Sequence, residues 1–249
     1  MPPLIIAHRG DSEHRPENTL ASFASALEKG ADIVELDVQL TRDGGVAVIH
    51  DPAVDRTTNC SGSVAELTLR EIRALQAGYP ARFGERYAGE RVPTLAEALS
   101  FLKGRARVLV ELKTESVREA DDGAGIEALT IEAVRNAGMA EDVALLSFDR
   151  RALLRCRREA PEIRRGHLYY RATLDELLAG AYAVGCDLVM PEKGMLTDEL
   201  AAAARAANLK LATWVVDDPV ELRLLLRYDL FAVGTNRPGE LLEATLETE

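Results

Sequence analysis

A chain of 249 residues, 47% of them hydrophobic, can bury a sizeable core, which excludes an intrinsically disordered protein. A formal net charge of −11 argues against nucleic acid and against stable attachment to an anionic membrane. Three isolated cysteines, Cys60, Cys156 and Cys186, give neither a disulfide framework nor a zinc site, and no apolar run approaches a membrane span.

In chain order, Leu4 to Ala7 is an apolar run that stops at His8-Arg9-Gly10. It is too short for a signal peptide and has no basic flank, so the expected location is cytoplasmic. Pro16-Glu17-Asn18-Thr19 leads into a helix over 19–29, with Leu20, Phe23, Ala24 and Leu27 on one stripe and Gly30 closing it. Residues 33–40 then alternate with a period of two, which is a strand. Its Val34, Leu36, Val38 and Leu40 face one way, and Glu35 and Asp37 face the other, roughly 7 Å apart along the strand. Asp43-Gly44 offers a tight turn, and a second run, Val46 to Ile49, ends on His50-Asp51. A two-residue turn at Asp43-Gly44 would place Asp37 opposite His50.

Residues 51–93 are rich in Asp, Thr, Ser, Gly and Pro and read as a small insertion after the second strand, with one short helix capped by Thr68 and Glu71. Strand and helix then alternate. Two further capping boxes, Thr94/Glu97 and Thr173/Glu176, open helices, and Val108 to Lys113 is a strand with Glu111 and Lys113 on one face. Strands follow at 143–148, 164–169, 187–190, 209–216 and 230–235. Eight strands, each followed by a helix, in about 250 residues predict an α/β fold, a single (β/α)8 TIM barrel over 1–249 carrying the 51–93 insertion. No Gly-rich dinucleotide loop follows the first strand, which argues against a doubly wound sheet.

Active sites of such barrels lie at the C-terminal strand ends, and His8, Glu35, Asp37, Glu111, Lys113, Phe148 and Trp214 all fall there. Glu35, Asp37 and Glu111 form an all-oxygen set suited to a divalent cation, Mg2+ or Ca2+. Arg9 and Lys113 are fixed cations beside it, as a phosphate requires. His8 and His50 suit acid–base work, whereas His14 and His167 read as structural and Glu192 and Lys193 as a solvated loop. Phe148 stands at the substrate rim, and Trp214 either fills the barrel or stacks on substrate. Three carboxylates converging on one rim repel, so neutralising Asp37 is expected to leave the metal-free protein at least as stable as it was.

His8-Arg9-Gly10, Pro16-Glu17-Asn18-Thr19, Glu35-Leu36-Asp37, His50-Asp51, Asp55-Arg56-Thr57-Thr58, Pro93-Thr94-Leu95 with Glu97, Glu111-Leu112-Lys113 and Ser147-Phe148 stand in the order seen in the glycerophosphodiester phosphodiesterase family, which the chain resembles from residue 4 to about 238. The resemblance implies a TIM barrel that hydrolyses glycerophosphodiesters to glycerol 3-phosphate and an alcohol. It also implies a divalent ion on Glu35, Asp37 and Glu111, and acid–base catalysis by His8 and His50. On this reading His50 is the base and His8 the acid, with the neighbouring hydroxyl or water as the attacking group. Two departures stand at the rim: Thr235-Asn236-Arg237-Pro238 where the family has Thr-Asp-x-Pro, and Val215-Val216-Asp217 where it has Thr-Val-Asn. At the rim they are expected to bear on head-group preference more than on chemistry. Two rival readings are a lysophospholipase D- or sphingomyelinase D-like lipid hydrolase, which would need an apolar lip, and a non-catalytic phosphoester-binding barrel, which would need no acid–base pair.

Overall fold

The structure is a computed structural model that describes residues 2–119 and 124–246. Its strands are β1 (Leu4–His8), β2 (Ile33–Leu40), β3 (Val46–Val48), β4 (Arg107–Leu112), β5 (Val143–Ser147), β6 (Arg164–Tyr169), β7 (Leu188–Pro191), β8 (Lys210–Thr213) and β9 (Ala232–Thr235). All but β3 run parallel, and β1 pairs with both β2 and β9, so the sheet closes into an eight-stranded barrel with helices outside. Among the described residues no helix is long and apolar enough to cross a membrane.

The period-two pattern decides what each strand buries. Outward residues of β2 and β4 (Val34, Leu36, Val38, Val108, Val110, Leu112) pack against Phe23, Leu95, Leu99, Leu102 and Ile126 of the surrounding helices. Inward residues Ile6, Ile33, Leu109, Leu146, Leu168, Leu188, Met190, Ala212 and Ala232 fill the barrel. The helices start where their sequences say: Thr68, Thr94 and Thr173 each accept from the backbone N–H three residues on, and Glu71, Glu97 and Glu176 return the bond.

Two expectations are corrected. The β2–β3 loop is longer by one residue than a two-residue turn. Thr41 Oγ1 holds Asp43 Oδ1 at 2.6 Å and the Gly45 N–H at 2.9 Å, and Gly44 takes a positive φ of 78°, so Arg42, Asp43 and Gly44 form a three-residue loop. Val38 therefore pairs with Val48, and the Ile49 N–H donates to the Asp37 carbonyl, so Ile49 and not His50 lies opposite Asp37. The 51–93 insertion holds four helical turns, Val64–Glu66, Leu69–Ala74, Pro80–Phe83 and Gly84–Tyr87, where one helix was expected. Val54, Val64, Ile72, Ala77 and Val92 form its own small apolar cluster with Ala47 and Ile49 of the hairpin. That cluster seats residues 51–93 on the β2–β3 hairpin, and Arg56 and Arg82 tie them to the loop after β1.

Candidate active site

At the C-terminal end of the barrel the inward positions cease to be apolar on one side. Register brings Asp37 level with Glu111 and His8 level with Glu35 on adjacent strands. Neighbouring strands lie about 4.8 Å apart, so the carboxylates meet without any distortion of the sheet. Glu35, Asp37 and Glu111 each offer an oxygen within 4.8 Å of the other two. Glu35 and Glu111 border a cavity of about 140 Å³, with His8, Arg9, His50 and Lys113 on the same wall. Leu146, Phe148, Leu168, Met190 and Trp214 line the other. Of the nine residues expected at the site, only Asp37 lies beneath the cavity surface, fully buried. His50 reaches it despite the altered register because it lies beyond the last ladder pair, with its carbonyl tied to Gln39 Nε2 at 2.7 Å.

The three carboxylates are not equivalent. Burial opposes ionisation of Asp37, but the Arg9 guanidinium and the Lys113 ammonium hold its pKa well below the ordinary carboxylate range. Arg9 Nε lies 3.1 Å from its Oδ2, an ion pair whose angle is too poor for a hydrogen bond, and Lys113 Nζ lies 3.6 Å from its Oδ1. Glu35 is the opposite case: burial first, then the charges of Asp37 and Glu111, raise its pKa well above the usual value, although Arg9 N–H donates to it at 2.9 Å. Burial and Asp37 likewise push Glu111 up to about 7, against its 2.7 Å bond from Lys113 Nζ. Asp37 Oδ1 is buried with no hydrogen-bond donor among the described residues. A crowded, buried trio with an orphaned oxygen is a donor set that could hold a metal ion, and its all-oxygen chemistry suits a hard divalent cation.

Both histidines are tied through Nδ1, which turns Nε2 to the cavity. His50 Nδ1 lies 2.6 Å from Asp51 Oδ1, and His8 Nδ1 lies 2.8 Å from Asn236 Oδ1. Burial, aided by Arg9, lowers the His8 pKa to about 4, so His8 is neutral near pH 7 in the absence of a bound anion. Phe148 and Trp214 meet edge to face at 5.7 Å, and Trp214 Nε1 donates to the Met190 carbonyl. The tryptophan lines the cavity and also packs on the residues that fill the barrel. His14 bonds Asp11 and Glu240, His167 packs on Tyr169, and Glu192 and Lys193 bond Gly194 N–H and Glu221; none of them lines the cavity.

Sequence reasoning missed the residues that hold these groups. Asn18, at a left-handed φ of 57°, donates from Nδ2 to Asp37 Oδ2 at 2.8 Å. Glu17 bridges Arg9 and Arg56, and Arg56 clamps both oxygens of Asp51. Asp51, Arg56, Glu17, Arg9 and Asp37 therefore form an unbroken chain of alternating charge from the insertion into the barrel. The Pro16–Thr19 and Asp55–Thr58 motifs become neighbours only in the fold, through the Glu17–Arg56 pair. The two rim departures meet each other: Asn236 touches His8, and Asp217 touches Asn236.

A closed (β/α)8 barrel whose rim joins a carboxylate trio, two fixed cations and two oriented histidines is the frame of a phosphoester-processing enzyme. The chain matches the glycerophosphoryl diester phosphodiesterase family over residues 8–240, and it belongs to that family. It is 37% identical to a glycerophosphodiester phosphodiesterase of Caldanaerobacter subterraneus subsp. tengcongensis over 243 residues, 97% of each chain. Among solved structures it resembles an Oleispira antarctica phosphodiesterase in complex with the product sn-glycerol-3-phosphate, with a TM-score of 0.88, 28% identity and coverage of 97% of this chain and 96% of that one. It also resembles a glycerophosphodiester phosphodiesterase from Agrobacterium tumefaciens, with a TM-score of 0.83, 31% identity and coverage of 97% and 99%.

Proposed function

We propose that the chain hydrolyses glycerophosphodiesters to sn-glycerol 3-phosphate and an alcohol, using a divalent cation and the two histidines His8 and His50. The observation that carries this is the convergence, on one barrel rim, of three crowded carboxylates with two histidines whose Nε2 atoms both turn to one cavity. Glu35, Asp37 and Glu111 would hold Mg2+ or Ca2+, which when bound supplies positive charge for the non-bridging phosphate oxygens. Arg9 and Lys113 flank that position; both are held by carboxylates, so they present fixed charge without reorganisation.

His50 acts as base through Nε2, and Asp51 stabilises the imidazolium that forms. It takes its proton from the substrate's glycerol hydroxyl or from water. His8 acts as acid toward the leaving alcohol. A phosphodiester anion bound beside it favours its protonated form. The apolar wall of Leu146, Phe148, Leu168, Met190 and Trp214 excludes water from one side of the reacting phosphate and offers ring faces to the departing group. Three free cysteines, two of them buried, suit a reducing, cytoplasmic setting.

The test is to incubate the purified protein with glycerophosphocholine, with Mg2+, with Ca2+ and with chelator, and to measure glycerol 3-phosphate release. Release with a divalent ion and none in chelator is expected. If no diester in a small panel is turned over with either ion, the phosphoester-binding reading replaces this one. Cleavage of lysolipids without cleavage of water-soluble diesters would move the substrate to phospholipids.

A further inference from the structure

His8 owes its orientation to a residue that does not touch it. Asn236 Oδ1 lies 2.8 Å from His8 Nδ1 and 2.8 Å from Ser12 Oγ, while Asn236 Nδ2 donates to Asp217 Oδ2 at 2.8 Å. The other Asp217 oxygen, Oδ1, accepts from Thr235 Oγ1 at 2.9 Å and from the Asn236 N–H at 2.7 Å. A carboxylate only accepts hydrogen bonds, so Asp217 compels the amide to turn its NH2 toward it and its oxygen toward His8. An amide oxygen likewise only accepts. His8 must then carry its Nδ1 proton in both its neutral and its charged forms, and every proton it exchanges passes through Nε2 into the cavity.

We propose that Asp217 is a positioning residue which, through the Asn236 amide, locks His8 in its Nδ1-protonated tautomer and leaves Nε2 as its sole point of proton exchange. The inference rests on the functional reading of His8 given above. Nothing else in this chain of bonds decides the orientation of the amide: Ser12 Oγ donates to the oxygen but also has the His8 carbonyl within 2.8 Å for its single proton.

Reciprocal exchange of the two residues tests this. In Asp217→Asn, position 217 can present either an oxygen or an NH2 to Asn236, so the Asn236 amide is free to turn over. Turned over, it presents NH2 to His8 Nδ1 and forces the other tautomer. In the double variant Asp217→Asn/Asn236→Asp, the amide introduced at position 217 donates its NH2 to the carboxylate introduced at position 236. The other oxygen of that carboxylate accepts from His8 Nδ1–H and Ser12. Each side-chain bond that orients His8 then has a counterpart. The ¹⁵N signals of uniformly histidine-labelled protein, which has four histidines, report the His8 tautomer without substrate, in chelator and with Mg2+.

The single variant is expected to show mixed or reversed His8 tautomers and a kcat lower by roughly 10- to 100-fold, with little change in KM. The double variant is expected to regain the Nδ1-protonated signal and most of kcat. Wild-type tautomer and kcat in Asp217→Asn would overturn the proposal. So would a double variant no closer to wild type than the single one, or a loss confined to KM. Because the tautomer is read without turnover, the positioning role stands or falls separately from the substrate assignment.

Discussion

Asp37 and Glu35 lie two residues apart on one strand face, yet their electrostatic positions are opposite. Asp37 is the anion that Arg9 and Lys113 were placed to meet, whereas Glu35 carries the repulsion. The expectation that neutralising Asp37 spares the metal-free protein therefore named the wrong carboxylate. Asp37→Asn is expected to destabilise the chelated protein by roughly 1–3 kcal/mol, because it strips a buried partner from two cations. Glu35→Gln, which removes a charge that burial and two neighbours oppose, is expected to leave chelated stability unchanged or higher. Both should weaken binding of Mg2+ or Ca2+ severely. Thermal melts in chelator and divalent-ion titrations of the two variants decide this; a chelated Glu35→Gln that melts well below a chelated Asp37→Asn would invert the assignment.

At the scale of elements, what was legible followed from period and capping. The alternation in 33–40 gave β2 and its two faces, and three Thr-x-x-Glu boxes gave three helix starts, because each of these is a local property of the chain. The hairpin register was not legible, since Thr41 chooses between a two- and a three-residue loop through side-chain bonds that the Asp43-Gly44 pair alone does not reveal. Nor was the role of the insertion, whose Arg56 acts across 39 residues on Glu17 and whose polar composition masks a small apolar cluster. Asp51 was visible in sequence only as the neighbour of His50. In the fold it receives Arg56 on both oxygens, and although burial opposes ionisation, the bonds from Arg56 and His50 bring its pKa down to about 2. Asp51 is thus an anion at any working pH, fixed against His50. His50→Ala is expected to cut kcat by about 10²- to 10⁴-fold with folding and metal affinity nearly intact. Asp51→Asn should lose a part of that, and adding it to His50→Ala should lose nothing more. Additive losses in the kinetic cycle would show that Asp51 acts on something other than His50.

Across the whole molecule, the barrel rim is divided: β1, β2 and β4 carry the charges, and β5 through β8 present apolar and aromatic side chains. Concentrating the charges on three adjacent strands gives the protein a pH response whose sign depends on the cation. Glu111 has its folded pKa raised to about 7, and that of Glu35 is also raised, by burial first and then by neighbouring carboxylates. Above the ordinary glutamate value of about 4.3 these two groups bind more protons in the folded metal-free protein than in the unfolded chain, which lowers stability as pH rises. His8 and His167, whose folded values burial lowers to about 4, act in the opposite direction up to the ordinary imidazole value of about 6.5, so the net fall in stability lies above that pH. Glu17 and Asp51, whose folded values are lowered, act in the other direction: their contribution is complete above the ordinary carboxylate range and is lost only as pH falls below it. The chelated protein should accordingly lose melting temperature as pH rises from about 6.5 to about 8. A divalent ion binds the deprotonated carboxylates, so saturating Mg2+ or Ca2+ should abolish or reverse that decline. Repulsion among the other acidic groups of a chain with net charge −11 could produce a similar slope, and Glu111→Gln separates the two causes, since it removes the local titration but leaves the remaining acidic surface in place. In chelator, Glu111→Gln is expected to flatten the profile between about pH 6.5 and pH 8. A wild-type profile that is flat or rising there would refute the carboxylate crowding, and a Glu111→Gln profile as steep as wild type would move its origin away from Glu111.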